Sequence, residues 1–158
     1  MNLFKDLYNL CSDGNISIST AESCTAGNFA SNIAAFPGAS SFFKGGIIAY
    51  QNNIKIQVLG VVESVLHQKT AVCSEVVEQM ADGVRKKFSS DFSIATTGYA
   101  GPSGGSKINP IGTVFIAISS KERTLSKHFL FSGSRESIVS QAVNNGILFL
   151  IQELKNQK

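Results

Sequence analysis

The stretch Ile16-Ser17-Ile18-Ser19-Thr20-Ala21-Glu22-Ser23-Cys24-Thr25-Ala26-Gly27 decides how the rest of the chain is read. Residues 16–20 alternate apolar and polar side chains, the pattern of a strand. Beyond Gly27, the residues Phe29, Ile33 and Phe36 recur at helical spacing. The small polar segment Glu22–Gly27 is therefore expected to turn a strand into a helix. Such a turn suits chemistry, because first-turn N–H groups lack intrahelical acceptors and favour negative charge. A hydroxyl or thiol placed there has a partial oxyanion hole beside it.

The 158 residues suit one domain, read as 1–158, and suffice for a sizeable core. A composition 43% hydrophobic and 16% charged, with 14 glycines, is that of a globular chain. The net charge of +3 is mild and only Arg85-Lys86-Lys87 are adjacent, which argues against a nucleic-acid partner. Cys11, Cys24 and Cys73 have no CxxC spacing, so neither a disulfide framework nor a metal site is expected, and a reducing cytoplasm fits. No apolar run approaches membrane-spanning length, and the N-terminus lacks the apolar core of a signal peptide. No membrane partner is expected. The low charge and extensive apolar pattern lead instead to the expectation of a homodimer.

Leu3, Phe4, Leu7 and Leu10 predict a first helix, broken at Asp13-Gly14-Asn15. After the strand at 16–20 and a helix to about Ala35, Gly46–Tyr50 reads as a buried strand. Asn52-Asn53 is expected to cap a short helix carrying Lys55 and Val58, ended by Gly60, with another helical stretch near 63–68. Ser74 reads as the cap of a long helix with Val76, Val77, Met80, Val84 and Phe88 facing inward. Phe92–Thr96 is the next strand, running into the glycine-rich loop Thr97–Ser106. Residues 111–119 and 124–131 predict a hairpin, and Ser134 opens a final helix. Alternating strands and helices predict an α/β fold, a layered sandwich on a mostly parallel, mixed sheet. Ligands in such sheets bind at the carboxyl ends of strands. The Ser23 turn, the Tyr50–Lys55 segment and the Thr97–Ser106 loop each follow a strand, so all are expected to border one crevice.

Glu22-Ser23-Cys24-Thr25 offers two nucleophiles, of which Cys24 is the stronger only if its pKa is lowered. His67 and His128 fall in a helical stretch and on a strand, where they read as structural, so a Ser-His-Asp triad is not expected. A lysine desolvated until neutral can activate a serine instead, and Lys55 is the candidate. Spacing alone, however, reads it as a solvated helix lysine. Tyr50 can relay a proton through its hydroxyl. The Thr97–Ser106 loop has the glycines and hydroxyls of a phosphate cradle but no Gly-Lys-Ser/Thr, so it is not a Walker loop.

Taken together, Ala21–Gly27, Phe43–Gly46 with Ala49–Lys55, Leu59–Val61, Thr97–Ser106 and Pro110–Val114 resemble, in order, the CinA C-terminal domain family. The resemblance reaches Phe131–Arg135 and so covers nearly the whole chain. It implies a three-layer α/β/α sandwich and hydrolysis of the carboxamide of nicotinamide mononucleotide, with no cofactor and no metal. It implies Ser23 as nucleophile and Lys55 as base, with Tyr50 nearby. Binding of the pyridine nucleotide falls to Glu22, Cys24, Thr25, Ala26, Gly27, Thr97, Gly98, Gly101, Gly104, Gly105 and Arg135. The chain departs from the family pattern at Ala26 (usually Gly), Cys73 (usually Ser) and Asn109 (commonly Lys). The large N-terminal domain of many relatives is absent from this sequence, and any activity tied to it is expected to be absent too. The alternative reading is a nucleotide-binding or regulatory member without turnover.

Overall fold

A central strand flanked on both sides organises the computed structural model, which describes residues 2–157. The sheet has strand order β2-β1-β3-β4-β5, formed by Phe43–Ile48 (β2), Ile18–Glu22 (β1), Phe92–Gly98 (β3), Thr113–Ser119 (β4) and Thr124–Leu130 (β5). β1 pairs in parallel with both β2 and β3, whereas β3–β4 and β4–β5 are antiparallel. Only β4 therefore runs against the other strands. The expected hairpin is present, closed at Ser120 and Arg123 by an N–H to carbonyl bond of 2.8 Å.

Because successive strand residues point to opposite faces, the sheet has two unlike sides. Ile18, Ile94, Ile116 and Ile118 pack under α1 (Leu3–Gly14), α2 (Asn28–Ala34) and α6 (Arg135–Asn156). Ala21, Ala95 and Ala117 face the other way, beneath α3 (Asn52–Leu59), α4 (Glu63–Lys69) and α5 (Ser74–Phe88). The small residues on that face admit α5 closely enough for the Ser93 hydroxyl to donate to the Ala81 carbonyl oxygen at 2.6 Å. This is the three-layer sandwich expected.

Several boundaries differ from the expectation. β1 starts at Ile18 and continues to Glu22, because Ser17 is held outside it by Asp91, whose carboxylate accepts its amide and hydroxyl at 2.8 and 2.7 Å. β2 lies earlier than expected and is a half-exposed edge strand rather than a buried one. Gln51, not Asn52, precedes α3, and Cys73, not Ser74, precedes α5; neither side chain caps its helix. Ser134 does cap α6, its hydroxyl accepting the Ser137 amide at 3.2 Å.

Candidate active site

The pleat carries the sequence of β1 directly into the site. Ala21 lies in the α5-side core, and the intervening Glu22 points to the opposite face, toward α2. Ser23, next along, borders a cavity of about 530 Å³ at the carboxyl ends of β1, β2 and β3. The three segments expected to converge do so. Tyr50 and Lys55 come from the connection after β2, Thr97 and Gly98 from the end of β3, and Gly101 from the loop that follows it. Arg135, at the start of α6, closes another side.

Lys55 is the decisive side chain. It is 2% exposed although it sits on a short peripheral helix. Its Nζ donates to the Tyr50 carbonyl oxygen at 3.3 Å. Among the described residues no carboxylate lies within ion-pair distance of it. Burial pushes its pKa below the ordinary lysine value of 10.5, and the neighbouring Cys24 only partly offsets that. Burial also pushes the Cys24 thiol up to about 12, more than its hydrogen bond with Thr96 brings it down. Cys24 is thus a protonated thiol at neutral pH and a poor nucleophile. Ser23 is 8% exposed, and its hydroxyl has no hydrogen bond within the described chain, including to Lys55.

The turn amides divide into two groups. Those of Ala26 and Gly27 are taken, by the Ser23 carbonyl oxygen at 3.1 Å and by Glu22 at 3.0 Å. Those of Cys24 and Thr25 make no hydrogen bond to a backbone carbonyl among the described residues. Arg135 bridges the mouth of the cavity, donating to the Gly101 carbonyl oxygen at 2.7 Å and to the Tyr50 hydroxyl at 2.8 Å.

Other expected binding residues lie elsewhere. Glu22 is 1% exposed and turned into the start of α2, away from the cavity. Thr25 and Ala26 border a second cavity of about 490 Å³ between α1, the turn and α6, which shares Cys24 and Arg135 with the first. Gly27 precedes α2 with φ of 94°. Gly104 and Gly105 border neither cavity; they fold the loop back against Tyr99 and the Pro110–Ile111 backbone. Conversely, the structure adds Asn52 and the Thr70–Val72 segment to the wall of the first cavity. Thr70, β-branched, holds φ of 75° there, a conformation foreign to such residues. Asn52 was legible beside Lys55 in the same motif. The α4–α5 connection carries no comparable signal, since only folding brings it over the site.

A family model for the CinA C-terminal domain matches residues 2–154. The chain belongs to the CinA C-terminal domain family. It is 41% identical over 151 residues to a CinA-like protein of Flavobacterium psychrophilum, a match covering 95% of this chain and 36% of that protein. A putative competence-damage inducible protein of Desulforudis audaxviator is 38% identical over 142 residues, covering 90% of this chain and 34% of its own length. The chain thus spans about a third of the length of the curated relatives it matches. The crystal structure of the competence damage-inducible protein A from Klebsiella pneumoniae superposes with a TM-score of 0.95 at 31% identity, covering 99% of this chain and 97% of that one. A CinA superfamily protein from Enterobacter cloacae gives 0.92 at 34% identity, over 96% and 90%.

The departures from the CinA pattern have visible consequences in this domain. Ala26 adopts φ of 46°, a left-handed conformation that glycine takes at no steric cost. Cys73 stands before α5 without capping it, and its thiol donates to the Thr70 carbonyl oxygen at 3.5 Å. Asn109 ties the glycine-rich loop to the cavity wall, its amide donating to the Val72 carbonyl oxygen at 3.0 Å. His67 and His128 lie away from both cavities, the first beside Glu63 on α4 and the second stacked on Phe115. Among the described residues no group of three or more His, Cys, Asp or Glu side chains is placed to hold a metal, and no helix is long and apolar enough to cross a membrane.

Proposed function

We propose that this domain hydrolyses the carboxamide of nicotinamide mononucleotide, giving nicotinic acid mononucleotide and ammonia. The observation that carries the reading is Lys55, a buried lysine without a counter-ion, bordering the same cavity as the free hydroxyl of Ser23. Neutral Lys55 takes the Ser23 proton, directly once the pair tightens on substrate or through one water. Ser23 Oγ then attacks the amide carbon. The Cys24 and Thr25 amides stabilise the resulting oxyanion. Lys55 returns the proton to the departing nitrogen, so that ammonia leaves and an ester to Ser23 remains. Water, deprotonated by the same lysine, hydrolyses that ester and restores Ser23.

Arg135 and Tyr50, already hydrogen-bonded across the cavity mouth, orient the nucleotide. The Tyr50 hydroxyl keeps its own proton to donate. Thr97, Gly98 and Gly101 supply the floor against which the ribose phosphate rests. No cofactor enters this scheme. The proposal includes a homodimer, which sedimentation or light scattering tests directly.

The decisive experiment is ammonia release from nicotinamide mononucleotide by wild type and Ser23→Ala together. Release by the first and none by the second is expected. A folded wild type that binds the nucleotide without releasing ammonia would instead support a nucleotide-binding, regulatory role.

A further inference from the structure

We propose that Glu22 is the positioning residue of the nucleophile turn, an inference that rests on the hydrolase reading for its kinetic consequence. Few charged side chains are buried among the described residues. Glu153 is paired with Arg123 at 2.7 Å and Lys55 faces the cavity, whereas Glu22 has no cation partner. A buried carboxyl without a cation is costly unless hydrogen bonds satisfy it. Glu22 is satisfied by the turn itself. Its Oε2 accepts the Thr25 hydroxyl at 2.7 Å and the amides of Gly27 and Phe29 at 3.0 Å each. Its Oε1 accepts the Ala30 amide at 2.9 Å.

These four donors belong to the segment that follows Ser23 and Cys24. The seat that the start of α2 would offer to an outside anion is therefore filled by the protein's own carboxyl group. Meanwhile the Thr25 hydroxyl is 2.8 Å from the Thr96 hydroxyl, on β3, which also bonds the Cys24 thiol. The Ser23 amide donates to the Thr96 carbonyl oxygen at 3.1 Å. Glu22, Thr25 and Thr96 thus tie the turn to two strands at once. The tie holds Ala26 at φ of 46°, a conformation that persists in a non-glycine residue only where surrounding structure over-determines it, beside Gly27 at 94°, which glycine adopts freely. It also keeps the Ser23 hydroxyl and the Cys24 and Thr25 amides in one arrangement, without Glu22 touching the cavity.

The test uses wild type, Glu22→Gln and Thr25→Val, with ammonia-release kinetics and hydrogen exchange over residues 23–30. Each variant is expected to lower kcat by about 100-fold, the cost of a small misplacement of reacting groups. KM is expected to stay close to wild type, because Glu22 does not meet substrate. Exchange in 23–30 is expected to quicken about tenfold while α5 stays protected. A folded Glu22→Gln with unchanged kcat overturns the proposal, as does a rise in KM alone, which would return Glu22 to substrate binding. If wild type releases no ammonia, the hydrolase reading fails by itself. Exchange then decides about Glu22: unchanged protection of 23–30 overturns the tie, and faster exchange confined to that segment supports it. Should Glu22→Gln fail to fold, Thr25→Val carries the same measurements.

Discussion

Lys55 Nζ reaches the Tyr50 carbonyl oxygen at 3.3 Å, and that neutral group is its only hydrogen-bond acceptor among the described residues. The lysine is therefore better accommodated uncharged. Its pKa is lower folded than unfolded, so between the folded value and 10.5 the unfolded chain binds the extra proton. Stability contributed by this site accordingly rises as pH climbs through that window, and the cost is fully present below it. Turnover, needing the free base, is expected to rise with pH over a limb below 10.5, measured as kcat/KM for ammonia release. Lys55→Met is expected to lose about 10²–10⁴-fold in kcat while melting at a higher temperature than wild type at neutral pH.

The protonated state of Cys24 separates the two adjacent nucleophiles. With its thiol pushed up to about 12, little thiolate exists at neutral pH. Ser23→Ala is expected to lose at least about 10³-fold in kcat/KM, and Cys24→Ala less than about tenfold. Iodoacetamide at neutral pH is expected to leave Cys24 unlabelled in the folded protein, read by mass spectrometry of its tryptic peptide.

Ala26 stands in a left-handed conformation with φ of 46°. A Cβ in that region costs roughly 1–2 kcal/mol, which glycine does not incur. Ala26→Gly is therefore expected to raise unfolding free energy by about 1 kcal/mol, measured by urea denaturation. The turn it relieves is the one that Glu22 ties down, so the gain should appear without loss of the Gly27 and Phe29 hydrogen bonds.

At Gly146, α6 packs directly over the Phe29 ring. A Cβ placed there would lie 2.4 Å from Phe29 Cζ and 3.1 Å from Ile94 Cδ1, inside the core. Gly146→Ala is expected to destabilise the domain by about 1–3 kcal/mol through overpacking. Since the Phe29 amide also donates to Glu22, the variant should lose activity beyond what its melting temperature explains.

Much of the fold was legible because its signals are local. The apolar repeat and the Asp13-Gly14-Asn15 break place α1, and Asn15 does end it in a left-handed conformation. Ser134 caps α6 as its position before an apolar stripe suggested. The edge position of β2 was not legible, because Phe43-Lys44-Gly45 acquires strand structure from pairing with β1 rather than from its own propensity. Convergence of three strand-following segments on one crevice was readable from topology. The division of labour inside the Glu22–Gly27 turn was not, since a carboxylate beside a serine reads equally as ligand contact or as helix anchor.

By itself the sequence determined the alternation of elements, the strand-to-helix turn bearing Ser23, and membership of the CinA C-terminal domain pattern. These depend on periodicity, caps and turn residues, which act over a few neighbours along the chain. Only the tertiary structure decided that Lys55 is buried rather than solvated, that Cys24 keeps its proton, and that Glu22 serves α2 instead of the cavity. Desolvation and hydrogen-bond satisfaction are sums over atoms brought together by folding. Ser23, Lys55, Thr97 and Arg135 lie far apart in sequence, and only the five-stranded sheet and its two helical layers bring them to one cavity.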